Sequence, residues 1–162
     1  MYLRSLILFI IIFNFVESFC SMAQGATSGS LRIEVIEARL TRDTEWLSKM
    51  DPYCVVESRM QKFRTRTLQG AGKTPRWQQA FDFDVKYVGD DIFIKVFDED
   101  VTASDIVGEA TFKISSLCVG NGIDEWFPIQ YKGKQSGQVH LKSTWKPGNK
   151  TKQNAANAAA HV

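Results

Sequence analysis

Between residues 31 and 141 the chain repeats one short pattern, and that pattern excludes most folds. Apolar and polar residues alternate over runs of four to nine residues, each closed by a turn signal. Leu31 to Glu37 is the first such run, followed by Tyr53 to Glu57, Lys62 to Thr67, Trp77 to Val85 and Ile92 to Phe97. Ile106 to Phe112, Trp126 to Ile129 and Gly137 to Leu141 complete a set of eight. Alternation at period two puts every second side chain on one face, as in a half-buried strand. No long run has the 3.6-residue period of an amphipathic helix. Asp51-Pro52, Gly70 to Pro75 and Val88-Gly89-Asp90 break the runs at turns. The fold class expected is all-β, an eight-stranded antiparallel sandwich. Trp77, Phe81, Phe83, Phe93, Phe97, Phe112 and Trp126 are the expected aromatic core.

The flanks have a different composition. Leu6 to Val16 is almost wholly apolar, with Arg4 before it and Ser21-Met22-Ala23 behind it. That is the pattern of a secretory signal peptide. It falls short of the roughly 20 apolar residues a spanning helix needs. Translation from Met22, with the upstream stretch a spurious leader, is an equal reading, and a membrane anchor ranks third. The division expected is therefore 1–23 as leader or extension, 24–30 as spacer, 31–146 as the folded domain and 147–162 as a disordered polar tail. The tail carries a glycosylation sequon, Asn149-Lys150-Thr151, which matters only in the secretory pathway.

Several function classes are disfavoured. A net charge of +2 is too small to argue for nucleic acid. Cys20, Cys54 and Cys118 are widely spaced and form no CxxC pair, so buried thiols are expected rather than a disulfide framework or zinc site. His140 and His161 lie far apart, and no nucleophile elbow or P-loop is present. A non-enzymatic protein is expected.

The acidic residues are more specific. Asp43 and Asp51 fall in one turn region, and Asp98, Asp100 and Asp105 in another. Carboxylates held that close repel one another unless a cation offsets them. A hard cation such as Ca²⁺ takes about 6–8 oxygen ligands from flexible loops. An EF-hand over Asp98 to Glu109 fails, because Ala103 stands where glycine is needed and strands flank the loop.

Three ordered motifs carry a resemblance. Leu47-Ser-Lys-Met-Asp-Pro-Tyr53, Lys73-Thr-Pro-Arg-Trp77 and Phe97-Asp-Glu-Asp100 followed by Asp105-Ile-Val-Gly-Glu109 resemble the C2 domain family. The match runs from about Leu31 to Trp145. It is closest to small single-domain members such as the elicitor-responsive proteins of plants, which share the run from Asp43 to Leu47. The resemblance implies a sandwich with calcium ions among the loops at one end, where the protein meets anionic phospholipid. Asp43 and Asp51 would be the ligands from the first loop, and Asp98, Asp100 and Asp105 those from the third. The first loop is longer than in kinase-type members, and the third is a residue shorter, which sets Asp105 against Ser104 as the fifth ligand.

Trp46 and Leu47 fall at the tip of the first loop and Val101 in the third, placed either to enter a lipid interface or to pack back on their own loops. Lys62, Arg64 and Arg66 alternate, so they share one strand face. The resemblance allows a phosphoinositide groove there, and an ordinary solvated face is the other reading. The function implied is calcium-dependent binding of anionic membranes, in signalling, by a cytoplasmic and peripheral monomer. A calcium-independent protein-interaction domain is the alternative, as is a secreted protein if residues 1–23 are a signal.

Overall fold

The computed structural model describes residues 27–46, 48–100 and 103–148. The strands are β1 (Gly29–Leu40), β2 (Pro52–Ser58), β3 (Lys62–Arg64), β4 (Arg76–Val85), β5 (Asp91–Asp98), β6 (Asp105–Lys113), β7 (Asp124–Tyr131) and β8 (Lys134–Pro147), with a 3-10 turn at Ile114–Leu117. They run antiparallel in the order β3-β2-β5-β6-β7-β8-β1-β4. One pair, Glu109 with Gln130, joins β6 to β7. This is the seam between two four-stranded sheets that close on one core as an eight-stranded sandwich.

Register explains what fills that core. In β1 the inward residues are Leu31, Ile33 and Val35, then Ala38 and Leu40. The change from odd to even positions falls at an irregularity between Val35 and Glu37, in the pairings with both β4 and β8. An extra residue there lets one strand keep an apolar face despite a broken alternation. In β5, Ile92, Ile94 and Val96 point inward, and the next inward position is Asp98. The same parity turns Phe93 and Phe97 outward.

The aromatic core expected from sequence is therefore corrected in part. Trp77 and Phe83 are fully buried, and Phe81 and Phe112 pack partly buried against the core cluster. Phe93, Phe97 and Trp126 lie outside that cluster. Phe97 stacks on Tyr53 at 5.2 Å and Trp126 on His140 at 4.9 Å between ring centroids. The thiols of Cys54 and Cys118 are free, the first buried and the second half-buried. Burial pushes both pKa values up, that of Cys118 to about 11.

The third strand ends at Arg64 rather than Thr67. Thr65 instead turns its hydroxyl to accept from the Cys54 N–H at 2.9 Å while its own N–H still donates to the Cys54 carbonyl at 2.9 Å, so a side chain takes over one bond of the pair. The first strand begins within the expected spacer, because Gly29 pairs with both Val85 and Pro147. The leader, Cys20, the expected tail from Asn149 onward with its sequon and His161, Leu47 and Val101 lie outside the described residues. Among the described residues no helix is long and apolar enough to cross a membrane.

Candidate metal centre

The strand parity that buries Asp98 also builds the site. Asp98 is 1% exposed and carries a carboxylate where β5 would otherwise continue its apolar face. Two donors hold it. Its Oδ1 accepts from the Asp51 backbone N–H at 2.6 Å, and its Oδ2 accepts from the Thr44 hydroxyl at 2.5 Å. Both donors belong to the loop between β1 and β2, so Asp98 ties that loop to the one after β5. The Glu99 N–H donates to the Asp51 carbonyl at 3.1 Å and closes the same junction.

Three carboxylates then converge. Oxygens of Glu45, Asp98 and Asp100 all lie within 4.8 Å of one another. The Ser48 hydroxyl donates to Glu45. Asp105 opens β6 directly opposite Asp98 in the ladder. Partial burial, with the charges of Asp98, Glu45 and Asp105, pushes the Asp100 carboxyl above its ordinary value of 3.8. The cluster thus holds more negative charge than its surroundings compensate. An all-oxygen donor set from two loops fits a hard cation of the calcium type, whose charge would offset the repulsion.

The five aspartates expected from sequence do not play one role. Asp98 and Asp100 converge, and Asp105 stands close enough to raise Asp100. Asp51 abuts Asp98 through its backbone, while its own Oδ1 accepts from the Gly70 N–H at 2.6 Å. Asp43 is drawn to Lys73, with Nζ 3.1 Å from Oδ2, and that contact holds its carboxyl below the ordinary 3.8. Sequence reasoning missed Glu45. The available signal was a third acidic residue two positions after Asp43, and a search confined to aspartate passes over it.

The basic face is also committed. Lys62 lies 3.4 Å from Glu57. Arg64 pairs with Glu99 and sits 3.7 Å over the Tyr53 ring. Arg66 donates to the Trp77 carbonyl at 2.8 Å. All three are exposed on one side of the chain, so the alternation holds although β3 stops early. Trp46 is 92% exposed and does not pack back on its loop.

A model of the C2 domain family matches residues 29–129. The chain belongs to the C2 domain family. Among its C2 relatives is 16 kDa phloem protein 2 of Arabidopsis thaliana, 30% identical over 121 residues, covering 74% of this chain and 82% of the relative. Among solved structures, a C2 domain-containing protein from a putative elicitor-responsive gene is 28% identical with a TM-score of 0.66, covering 78% of this chain and 95% of that one. A structure of two C2 domains of extended synaptotagmin 2, calcium bound, is 26% identical with a TM-score of 0.65, covering 75% of this chain and 46% of that one.

The frustration at Asp100 gives a pH-dependent expectation for this C2 domain. Its raised folded value adds stability below the ordinary 3.8, and that stability is lost as pH rises through the folded value. Asp43 works in the opposite sense: its stability is present above 3.8 and lost as pH falls through its lowered folded value. Asp100→Asn is therefore expected to melt higher than the unaltered chain at neutral pH in chelator. That advantage disappears below the ordinary carboxyl value. Thermal melts of both proteins across this range check it, and equal melting temperatures at neutral pH would contradict it.

Proposed function

We propose that the chain is a non-enzymatic, calcium-dependent module that binds anionic phospholipid membranes. The observation carrying this reading is the convergence of Glu45, Asp98 and Asp100 from two loops, with Asp98 delivered inward at the end of β5. Asp105 completes the acidic mouth from β6. Asp51 and Asp43 serve from the first loop, Asp43 after release from Lys73. A bound cation supplies positive charge where the mouth was repulsive, making it attractive to lipid phosphate. The relative solved in a calcium-bound state supports the same reading.

Trp46 projects from the loop that supplies Glu45, so the same loop presents an amphipathic ring to the interface, flanked in sequence by Leu47. Val101 follows Asp100 in the third loop and is assigned the same role. Lys62, Arg64 and Arg66 add a basic face on β3 and its extension. Trp46→Ala is expected to weaken calcium-dependent vesicle binding about tenfold. Its melting temperature should not change, because the side chain is almost wholly exposed. Vesicle titration beside thermal melts checks both halves.

Such a module would be cytoplasmic and peripheral, acting in calcium signalling as a monomer. If residues 1–23 act as a secretory signal, the same site would instead meet steadily high calcium outside the cell. The direct test of the site is thermal unfolding in calcium and in chelator. A ligand bound by the folded state alone must raise the melting temperature, and the shift must grow with calcium concentration. A second reading, a calcium-independent protein-interaction domain, is favoured by one contact: Lys73 already supplies Asp43 with a counterion. An unchanged melt at millimolar calcium selects it.

A further inference from the structure

We propose that the corner between the end of β1 and the β7–β8 hairpin binds a phosphate group, held by Arg42, Lys134 and Tyr131. The three residues line one open cleft of about 260 Å³, and no acidic residue lines it. Arg42 is fixed at the backbone, where its N–H and that of Thr41 both donate to the Ser136 carbonyl, at 3.1 and 2.8 Å. Its guanidinium lies 4.0 Å over the Tyr131 ring. Its Nη1 is buried and has no hydrogen-bond partner. A buried guanidinium nitrogen without an acceptor is costly, and an anion in the cleft would supply the acceptor.

The hairpin adds charge on a rigid frame. Tyr131 and Lys134 pair across a two-residue turn, with Lys132 at φ 49° and Gly133 at φ 75°. A turn of this type demands positive φ at both positions. Here a lysine occupies the first, a conformation uncommon for any residue other than glycine. Its ammonium lies 5.2 Å from the Tyr131 ring centre. Among the described residues, no carboxylate forms an ion pair with Arg42, Lys132 or Lys134.

Three cations around a phenol, one of them an arginine fork, suit a tetrahedral dianion better than a single carboxylate. The site is separate from Lys62, Arg64 and Arg66, which lie on or just after β3 in the other sheet. It uses none of the acidic cluster, so it operates without calcium.

The test is therefore made in chelator on the full chain, where failure of the calcium reading leaves the result untouched. Inositol 1,4,5-trisphosphate is titrated by calorimetry. Phosphatidylcholine vesicles, with and without phosphatidylinositol 4,5-bisphosphate, are titrated in parallel. Arg42→Gln is expected to weaken binding about tenfold and Lys134→Gln about threefold. Lys86→Gln, just past the end of β4 that pairs with the start of β1, should leave it unchanged. Lys134 is exposed on the hairpin, so its variant tests the site even if Arg42→Gln fails to fold. Binding of the soluble probe assigns the cleft to phosphate itself, and binding on vesicles alone assigns it to a lipid headgroup at a bilayer. Binding of neither overturns the proposal, as does undiminished binding by Arg42→Gln and Lys134→Gln.

Discussion

Asparagine at both position 98 and position 100 is expected to weaken calcium binding about a hundredfold or more. The two side chains supply oxygens to the cluster that lies within 4.8 Å, and asparagine removes both charges with almost no change of shape. Two opposite charges about 4 Å apart attract by about 4 kcal/mol at the effective dielectric near a protein surface, so losing two outweighs the relief of their mutual repulsion. Calorimetric titration of calcium checks it. Affinity within a few-fold of the unaltered chain would mean that the cation, if bound, sits elsewhere.

The second large effect separates structure from metal. Asp98→Ala is expected to destabilise the protein in chelator by about 2 kcal/mol, because it strips acceptors from a buried junction. The Asp51 N–H and the Thr44 hydroxyl would both lose their partner, leaving the Glu99–Asp51 backbone bond to hold the junction. Asp98→Asn should cost much less. Its amide oxygen still accepts from the Asp51 N–H, and the Thr44 hydroxyl can rotate to accept from the amide nitrogen. Chemical denaturation of the two variants in chelator checks the difference. Equal stability of alanine and asparagine would contradict the structural role given to Asp98.

Much of this is legible in the chain itself. The alternation Ile92, Ile94, Val96 leads by parity to Asp98, so an inward carboxylate at a strand end follows from counting. What parity decides, hydrophobicity alone obscures. Phe93 and Phe97 are expected in the core because they are large and apolar, yet they occupy the outward positions of β5. The irregularity after Val35 is not legible, because one extra residue leaves no local mark beyond a shifted alternation. The early end of β3 depends on a threonine hydroxyl replacing a ladder bond, a choice that only the facing strand makes visible. At the site, the grouping of Asp98 with Asp100 is visible from spacing. The rest depends on the path of the first loop: Glu45 moves into the cluster, and Asp43 turns to Lys73.

The measurement that tests the central claim most directly is co-sedimentation of the chain with phosphatidylserine vesicles, in calcium and in chelator. The predicted result is pelleting in calcium that chelator reverses and that the double asparagine variant loses. Equal pelleting in both conditions, or none in either, would contradict a calcium-controlled membrane module.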